Sequence, residues 1–566
     1  MLDFKKEVVN LISMAVESLN KEEIEALIEV PPNYDMGDYA FPCFRLAKTF
    51  RKAPNLIAEE LAGKIEKGEY FERLENVGPY INFFINKTKL TEVVLEAVEE
   101  EKEKFGSTNV GEGRKVLVEF SSPNIAKPFH IGHIRTTVIG NSIEKIFKFQ
   151  GFKTTRLNHL GDYGTQFGML IAAYKKWGDM KVIEGDPINE LLKLYVKFNG
   201  EAEKDESLRD EARYWFKELE EGNEEALELW QWIRDISLKE FNKVYDLLNI
   251  KFDSYAGESF YSDKMPRVIE EMEKKGLLKE SDGAYIVDLE PYDMPPALIK
   301  KSDGSTLYTT RDIAAAIYRK EHYDFYKNIY VVASQQNLHF KQWIKVIDLM
   351  GYDWAYDCIH IPFGMVSLED GTLSTRQGRV VFLEDVLNRA IESTLKVIEE
   401  RNPNLENKEE VAKQVGIGAV IFQELFNTRI KDYVFSWDRT LSFEGETGPY
   451  VQYSHARANS LLEKGEFNLE DKIDYSLLKA EDEISLIRLL YNFPKAVLDA
   501  LDKYEPSFVT RHVVEIAKGF NKFYNSCPIM NAEEELKKAR LSLVYAAKTV
   551  INTGLGLLGM EAPNKM

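Results

Sequence analysis

Cysteine is scarce in this sequence, since the 566 residues include only Cys43, Cys358 and Cys527. The three lie far apart in the chain, and no two of them form a CxxC pair. This pattern predicts neither a disulfide framework nor a structural zinc site. It favours a protein that works in a reducing cytoplasm.

Long apolar runs are absent as well. The chain begins with acidic and basic residues, Asp3, Lys5, Lys6 and Glu7, where a secretory signal peptide would need an apolar segment. No stretch elsewhere approaches the roughly 20 apolar residues that a membrane-spanning helix needs. We therefore expect a soluble cytoplasmic protein with no membrane partner.

Glycine-rich phosphate-binding loops are missing or misplaced. The sequence contains no GxxxxGK[ST] P-loop, so any nucleoside triphosphate has to be held without one. Residues 554–559 match GxGxxG by letter, but they follow a predicted helix and not a strand. We interpret these glycines as the end of that helix.

Positive charge is in deficit, because the formal net charge is −20 and the pI is about 5.1. An acidic balance argues at first against a nucleic-acid partner. It does not decide the question, since counterion release depends on the local contacts between basic side chains and phosphates. If a nucleic acid binds, lysines and arginines must cluster on one face.

The most informative stretch that the sequence does contain runs from residue 116 to residue 169. Residues 116–120 are apolar and rich in valine, which predicts a buried strand that the following SSPN sequence ends. Apolar residues at helical spacing from Ile131 predict a helix, and residues 154–160 predict a second strand. Strand, tight loop, helix and strand form the opening unit of a doubly wound nucleotide-binding domain.

The loop before this helix carries His130, Ile131, Gly132 and His133. Gly132 has no Cβ, so a base or a phosphate can approach its backbone closely. Two imidazoles three residues apart share a face of the first helical turn and can hold phosphate oxygens. The plain alternative is a helix start with two incidental histidines, which a motif this short does not exclude.

The surroundings of this histidine motif carry a family resemblance. The sequences EFSSPNIAKPF at 119–129, HIGH at 130–133 and LGDYGTQ at 160–166 resemble the class I aminoacyl-tRNA synthetases, and within them the arginyl-tRNA synthetases. The resemblance covers nearly the whole chain. It implies an α/β fold with a Rossmann-like class I catalytic domain, a helical insertion, an N-terminal α+β domain and a C-terminal all-α bundle.

The chain divides into four predicted regions. Residues 1–108 form an N-terminal domain that the resemblance identifies as tRNA-elbow-binding, and residues 109–366 form the catalytic domain, with an acidic helical insertion at about 172–301. Residues 367–440 contain the signature loop and a helical connector. Residues 441–566 have apolar residues at helical spacing, and the resemblance identifies them as the anticodon-binding bundle.

A second informative stretch begins with a predicted strand at 306–310 and continues with another at 329–334. Asp312, after the first strand, is by default a helix N-cap. The resemblance implies a different role, because a substrate guanidinium pairs with carboxylates and amide oxygens. It assigns arginine binding to residues at strand ends or in the following loops: Glu119, Asn124, His130, Tyr308, Asp312 and Gln336.

The third informative stretch, residues 363–378, occupies the place of the class I KMSKS loop and departs from it. Both expected lysines are missing, while Ser374 and Arg376 resemble the arginyl variant of the loop. Phosphoryl chemistry needs cationic charge on the departing phosphates, so charge has to come from another residue as well. Lys127, just before the histidine motif, is the best candidate, and a solvated surface lysine is its alternative.

The resemblance thus implies a nucleotide site. It places catalytic roles on Lys127, His130, His133 and Arg376. It places ATP contacts on His130, Gly132, His133, Met365, Val366 and Ser374, with Met365 and Val366 as the weaker, adenosine-side candidates. Mg²⁺ should accompany ATP, held largely by phosphates and water, so we expect no metal site made by protein side chains.

Exposed aromatic and amide side chains near predicted turns suit stacking and hydrogen bonding with a splayed base. The resemblance implies five such tRNA contacts: Tyr80 and Asn82 at the elbow, and Tyr453, Tyr524 and Met566 near the anticodon. The alternative is an ordinary core role, for Tyr524 because phenylalanines lie close to it on the same predicted helix.

We therefore expect a monomeric ligase that uses ATP to attach L-arginine to tRNA(Arg) through arginyl-adenylate. Two other classes of function stay open. A small-molecule nucleotidyltransferase of the same H-x-G-H superfamily would not need the helical tail or the first domain. A non-catalytic tRNA-binding paralogue would not need an intact histidine motif.

Overall fold

The computed structural model describes residues 1–301, 308–368 and 381–566. The chain forms two compact units. Unit 1 comprises residues 1–105, 454–494 and 512–553, and unit 2 comprises residues 106–453, 495–511 and 554–566. The predicted C-terminal region therefore contributes residues to both units, and the four domain boundaries stay predictions.

Helices and short strands alternate along much of the described chain. The strands are β1 (Tyr39–Pro42), β2 (Phe71–Val77), β3 (Tyr80–Ile85), β4 (Lys115–Glu119), β5 (Lys153–Leu157), β6 (Leu278–Ser281), β7 (Ala284–Val287), β8 (Ala297–Lys300), β9 (Lys327–Ala333), β10 (Cys358–Phe363), β11 (Val366–Leu368) and β12 (Tyr433–Phe435). The α-helices are α1 (Phe4–Ala15), α2 (Lys21–Leu27), α3 (Ala47–Phe50), α4 (Pro54–Lys64), α5 (Lys87–Glu101), α6 (Ile134–Phe149), α7 (Thr165–Trp177), α8 (Met180–Gly185), α9 (Pro187–Ala202), α10 (Ser207–Glu220), α11 (Glu224–Leu247), α12 (Met265–Lys274), α13 (Tyr308–Tyr323), α14 (Asn337–Leu349), α15 (Leu383–Arg401), α16 (Lys408–Phe426), α17 (Trp437–Thr440), α18 (Gly448–Lys464), α19 (Glu481–Lys503), α20 (Ser507–Ser526) and α21 (Glu534–Leu557).

Unit 1 contains a three-stranded antiparallel sheet in the order β1-β3-β2. Asp38, just before β1, is 6% exposed. Its carboxylate accepts hydrogen bonds from the Ile85 N–H at 2.8 Å and from Arg488 Nε at 2.9 Å. A buried carboxylate is tolerated when such donors satisfy it, so this contact ties the sheet to a helical residue of the same unit.

Unit 2 is built on a four-stranded parallel sheet in the order β10-β9-β4-β5. The predicted strand–loop–helix–strand unit is present as β4, α6 and β5. Helices α13 and α14 precede and follow β9, so helices and parallel strands alternate as in a doubly wound domain. The predicted Rossmann-like α/β class is confirmed.

Helix α6 packs closely on the end of β4 because Gly140 lets the two elements approach. A Cβ at Gly140 would lie 2.2 Å from the Cβ of Phe120. Leu117, which points to the opposite face of the strand, belongs to a buried cluster that includes Ile313 of α13 and Trp343 of α14. Both faces of β4 are thus covered, as a buried parallel strand requires.

The insertion is helical through α7–α12, as predicted, and then adds an antiparallel sheet in the order β6-β7-β8 that the sequence analysis did not predict. Strands of four residues are too short to give a clear alternating pattern. The strand expected at 306–310 is not found in its described part, where α13 begins at Tyr308. Thr310 is buried there and donates to the Ile299 carbonyl at 2.7 Å, so tertiary packing overrides the β-branched preference.

Within the described ranges, no helix is both long and apolar enough to cross a membrane. The three cysteines are free and buried. Burial raises the pKa of Cys43 and of Cys358 to about 12, so both thiols are protonated at neutral pH. Across the same residues, no group of three or more His, Cys, Asp or Glu side chains is placed to hold a metal ion.

Candidate active site

The candidate site lies at the carboxyl edge of the parallel sheet in unit 2. Three neighbouring strands end there, β4 at Glu119, β9 at Ala333 and β10 at Phe363. Because the strands are parallel, the loops that follow them emerge at the same edge. Predicted arginine-binding or ATP-binding residues lie at or after the end of each strand, so the topology brings them to one region.

The loop after β4 has an unusual backbone. Ser121, Ser122 and Ala126 have φ values of 68°, 48° and 57°, in the left-handed region that residues with a Cβ rarely adopt. Helix α11 of the insertion holds this loop: the Ala126 N–H donates to Ser237 Oγ at 3.0 Å, and Ser121 Oγ lies 2.8 Å from the Tyr245 hydroxyl. Such strain persists only where surrounding contacts hold it. The sequence analysis missed Ser237 and Tyr245 because both lie far from the loop in the chain.

Asn124 sits in this loop, against Gly161 of the LGDYG sequence. The Ile125 N–H donates to the Gly161 carbonyl at 3.2 Å, and the Gly161 N–H donates to the Pro123 carbonyl at 3.1 Å. A Cβ at Gly161 would lie 2.1 Å from Asn124 Oδ1. Glycine is therefore needed at 161 to leave room for the Asn124 side chain.

The two histidines of the motif contact one another before α6. His130 Nδ1 accepts a hydrogen bond from the Gly132 N–H at 3.1 Å, and His133 Nδ1 lies 3.2 Å from the His130 N–H. Burial lowers the pKa of both imidazoles, that of His133 to about 3, so both are neutral at physiological pH. A neutral imidazole that accepts at Nδ1 carries its proton on Nε2, so the His130 ring can donate from Nε2 to a phosphate oxygen. His133 Nδ1 also lies 3.2 Å from the His130 carbonyl oxygen, so the tautomer of His133 sets which of its nitrogens donates.

Beside the histidines lies a cavity of about 860 Å³. Asn124, Lys127, His130 and His133 contribute to its lining, which α7 and α9 of the insertion complete. Lys127 is exposed. Burial raises the pKa of Glu258 to about 7, and nearby cations, Lys127 among them, oppose this shift. Lys127 therefore lies near enough to Glu258 for their charges to interact.

The two predicted guanidinium-binding carboxylates each have one oxygen in contact with a basic side chain of this chain. Glu119 Oε2 lies 2.6 Å from Arg319 Nη1, and Asp312 Oδ2 lies 2.5 Å from His339 Nε2. Both carboxylates are close enough to His159 for their charges to raise its pKa, in opposition to the larger effect of burial. Glu119 and Asp312 therefore lie in the same part of the site. Each carboxylate has a second oxygen, and a guanidinium has enough N–H donors for both.

The LGDYG sequence also fastens the insertion to the sheet edge. Asp162 is fully buried and accepts hydrogen bonds from the Ser259 N–H at 2.8 Å, the Ser259 hydroxyl at 2.9 Å and Arg234 Nε at 3.4 Å. Trp230 Nε1 donates to the Asp162 carbonyl at 2.8 Å. Arg234 and Trp230 both lie on α11, so these contacts fix the helix that holds the β4 loop.

Tyr308 and Gln336 are the remaining predicted arginine-binding residues. Tyr308 opens α13, is 65% exposed, and has the Arg311 guanidinium 5.6 Å from its ring. Gln336 is exposed at the end of a short 3₁₀ turn after β9. Tyr308 lies one helical turn before Asp312 on α13. Gln336 lies just before α14, which carries His339, the residue that contacts Asp312.

The predicted adenosine-side residues follow β10. Met365 is exposed, and its N–H donates to Asp432 Oδ1 at 2.6 Å. Val366 is buried at the start of β11. Ser374 and Arg376 lie outside the described residues, so their roles at the phosphates stay predictions from the sequence.

Arg135, two residues after the histidine motif, is a further residue that the sequence analysis missed. Its side chain is fully buried and donates to the backbone carbonyls of Gly364 and Lys431, each at 2.8 Å, and of Arg429 at 3.1 Å. Its Nε lies 3.4 Å from Glu424 Oε2. Burial raises the pKa of Glu424 to about 7, with Arg135 opposing the shift. These contacts join α6 to the segment between β10 and β11.

Unit 1 carries three of the predicted tRNA-binding residues. Tyr80 opens β3 and packs edge-on against the exposed ring of Phe44, with the centroids 5.7 Å apart. Asn82 is 4% exposed, which leaves little of its amide open to a nucleotide. Tyr524 is 39% exposed, with the Arg457 guanidinium 5.2 Å from its ring, while the neighbouring phenylalanines on α20 are fully buried. Tyr524 is therefore at the surface side of its helix.

Unit 2 carries the other two, Tyr453 and Met566, which line a second cavity of about 900 Å³. Trp437, Arg389 and Arg401 also line it, and the Arg389 guanidinium lies 4.2 Å from the Trp437 ring. Tyr453 is 41% exposed. Exposed aromatic rings among arginines suit an unstacked base and its phosphates.

Family models match three successive parts of the chain. Residues 6–85 match the arginyl tRNA synthetase N terminal domain, residues 94–437 match the catalytic domain of tRNA synthetases class I (R), and residues 451–566 match the DALR anticodon binding domain. The second match contains every described residue of the candidate active site.

Relatives align with the chain from end to end. The proteins named arginine–tRNA ligase from Halothermothrix orenii and from Clostridioides difficile (strain 630) are each 63% identical over 566 residues, with 100% of both chains covered. The structure of Thermus thermophilus arginyl-tRNA synthetase is similar with a TM-score of 0.84 at 26% identity, covering 100% of each chain. That of the Plasmodium falciparum enzyme has a TM-score of 0.80 at 25% identity, covering 99% of this chain and 98% of the other.

The contact between Gly161 and Asn124 gives a prediction. Gly161→Ala should displace the Asn124 amide and raise the KM for arginine about 10- to 100-fold, the scale of a lost hydrogen bond to a charged group. The KM for ATP should stay within about twofold, as measured by arginine-dependent ATP–pyrophosphate exchange. Gly185→Ala is the matched control, since a Cβ there meets no atom within 4 Å. An unchanged arginine KM in Gly161→Ala would contradict a role for Asn124.

Proposed function

Because this chain belongs to the arginyl-tRNA synthetases of class I, we propose that arginine and ATP react in the cavity beside its histidine motif. The chain attaches L-arginine to its cognate tRNA in two steps. First, the arginine carboxylate attacks the α-phosphorus of ATP, forming arginyl-adenylate and releasing pyrophosphate. Then a 3′-terminal ribose hydroxyl of the tRNA attacks the arginyl carbonyl and releases AMP.

One observation carries the placement of the site. Asn124, Lys127, His130 and His133 line one cavity at the sheet edge where Glu119 ends β4. At about 860 Å³ the cavity falls in the size range of small-ligand sites. The proposed phosphate donors thus share one cavity with Asn124. In this proposal, aligning two substrates there supplies much of the rate enhancement.

We assign the arginine side chain to the acidic part of the site. Its guanidinium would lie between Glu119 and Asp312, whose second oxygens can accept its planar N–H donors. Tyr308 and Gln336 supply neutral acceptors, and Asn124 lies towards the histidine motif. A lysine ammonium is a single compact donor group, so it cannot satisfy both carboxylates with the same geometry.

The reaction needs no side-chain nucleophile, so catalysis consists of alignment and charge stabilisation. We assign the α-phosphate to the imidazole donors of His130 and His133, with Gly132 leaving room for the nucleotide. We assign the departing pyrophosphate to Lys127 together with Arg376, because charge builds up there as the phosphate bond breaks.

Mg²⁺ enters as part of the Mg–ATP substrate in this proposal, held by phosphate oxygens and water as a hard cation prefers. Three residues are assigned to ATP from their sequence positions: Met365, Val366 and Ser374. The enzyme is proposed to act as a monomer in the cytoplasm, and its free buried cysteines support a reducing compartment.

We assign tRNA contacts to two groups of residues. Tyr80 belongs to the part that matches the N-terminal domain model, where the contact of the buried Asn82 stays a prediction from the sequence. Tyr453, Tyr524 and Met566 belong to the part that matches the anticodon-binding model. The cavity around Tyr453 and Met566 supports the second assignment, because an aromatic surface between arginines accepts a base without strong sequence preference.

ATP–pyrophosphate exchange tests the proposed function directly. With tRNA present, exchange should depend on arginine, and lysine should support it roughly 10⁴-fold less well, because a site built for hydrogen-bonding groups rejects analogues that lack them. Exchange should be measured with and without tRNA and across amino acids. A small-molecule nucleotidyltransferase would show no arginine dependence, and a non-catalytic paralogue would show no exchange.

Lys127 gives the sharpest catalytic prediction. Lys127→Ala should lower the rate of adenylate formation by about 10²- to 10³-fold, the scale of removing one transition-state donor. The KM for arginine and tRNA binding should change little, because Lys127 is assigned only to the pyrophosphate. Lys274→Ala, on an exposed lysine that pairs with Glu270, is the matched control. Adenylate formation at the parent rate in Lys127→Ala would show that Lys127 is an ordinary surface residue.

Tyr453 tests the tRNA assignment. Tyr453→Ala should raise the KM for tRNA about 5- to 150-fold, since a base–aromatic stack is worth about 1–3 kcal/mol. The turnover rate at saturating tRNA should stay near that of the parent in an aminoacylation assay. Tyr453→Phe keeps the ring and is expected to behave like the parent. An unaltered tRNA KM in Tyr453→Ala would remove Tyr453 from the interface.

A further inference from the structure

Arg319 lies on α13, seven residues after Asp312, and its side chain is 1% exposed. Seven residues are about two helical turns, so the two side chains lie on the same face of the helix. Arg319 has no role in the proposed binding of arginine, ATP or tRNA. A guanidinium buried beside the proposed binding site for another guanidinium needs an explanation.

Each nitrogen of Arg319 has a neighbour. Nη1 lies 2.6 Å from Glu119 Oε2, Nε donates to the Tyr261 hydroxyl at 3.3 Å, and Nη2 lies 3.3 Å from His159 Nδ1. The guanidinium carbon is 5.6 Å from the Tyr261 ring and 5.5 Å from the Tyr330 ring. Three contacts and two rings hold the planar group in one orientation.

The charge states agree with these contacts. Burial alone would lower the pKa of Arg319, but Tyr261, Glu119 and Tyr330 together raise it well above its ordinary value, so the guanidinium is charged. Burial lowers the pKa of His159, and the Arg319 charge adds to this. A neutral His159 can accept the hydrogen bond from Nη2 at Nδ1.

Glu119 is 6% exposed, so its carboxylate is almost removed from water. Oε2 is held by Arg319, whereas Oε1 makes no hydrogen bond or ion pair with any residue that the structure describes. A carboxylate buried without a cation takes up a proton instead of keeping its charge. Arg319 is the buried cation in contact with this one.

We propose that Arg319 is a positioning residue for substrate arginine: it pairs with Glu119 and holds Oε2, so that Oε1 is left to accept the substrate guanidinium. This rests on the proposed binding of arginine by Glu119. Glu119 is then shared by two guanidinium groups, one belonging to the protein and one to the substrate.

The surrounding charges favour this arrangement. Each of the two carboxylates contacts a basic side chain of the protein, Glu119 with Arg319 and Asp312 with His339. Two carboxylates close together repel each other, and the Arg319 charge offsets this repulsion at Glu119. The second oxygen of each carboxylate is left for the substrate guanidinium.

The test measures the arginine KM in ATP–pyrophosphate exchange near pH 7, with ATP and tRNA saturating. Arg319→Met should raise this KM about 10- to 100-fold and leave the ATP KM within about twofold. Arg319→Lys keeps the charge but not the planar guanidinium, so its arginine KM should rise by only about 3- to 10-fold.

Several results would overturn the proposal. They are a parent-like arginine KM in Arg319→Met, or a parallel rise in the ATP KM, since a general folding defect would raise both. If Arg319→Met does not fold, Arg319→Lys decides, because a parent-like arginine KM in that variant contradicts a role for the planar guanidinium in positioning Glu119. Arg267→Met is the matched control, since Arg267 is exposed and pairs with Glu321 at 2.5 Å.

Glu119→Gln separates this proposal from the proposed function. A parent-like arginine KM in Glu119→Gln would mean that Glu119 does not bind arginine at all. A raised arginine KM in Glu119→Gln together with a parent-like KM in Arg319→Met would remove only the role of Arg319. The double variant should match Glu119→Gln alone, because both substitutions act through one carboxylate.

Discussion

The loop that leaves β4 is the constraint on which the rest of the site depends. It carries Asn124, Lys127 and the histidine motif across the sheet edge, and it does so through three left-handed residues that each cost about 1–3 kcal/mol. Ser237 and Tyr245 of α11 hold it, and α11 is itself fixed by Asp162. The insertion is therefore a part of the site's framework, although it lies outside the parallel sheet.

Two buried guanidinium groups extend this framework. Arg135 joins α6 to the segment between β10 and β11, and Arg319 joins α13 to the end of β4. Each has a carboxylate beside it and neutral acceptors for its other nitrogens. Because an unpaired charge in a protein interior costs about 3–5 kcal/mol, neither pair of elements can separate cheaply. Helix α6 and the end of β4 are thus each tied to neighbouring elements by one buried arginine.

Much of the fold follows from local patterns. The apolar run of β4, the helical spacing of α6 and the run of β5 predict the central unit, because each element is long enough to show its own period. The sheet β6-β7-β8 escaped prediction because its strands are only four residues long. We expected a strand at the start of α13, because threonine favours strands. The packing of the buried Thr309 and Thr310 in the folded protein outweighs this preference. A long helix or strand shows its own hydrophobic period, so its type can be predicted from the local sequence. For a short element, tertiary packing decides the type.

The sequence by itself determined the family and the candidate side chains for the chemistry, because the histidine motif, Lys127 and the carboxylates stand in short patterns with recognisable spacing. Only the tertiary structure decided which residues hold them. Arg319 meets Glu119 across 200 residues of chain, and Ser237 meets the β4 loop from the insertion. Such partners come together through strand order and helix packing, and no local pattern records either. A buried charge makes its partner necessary on physical grounds, but only the fold shows which residue that partner is.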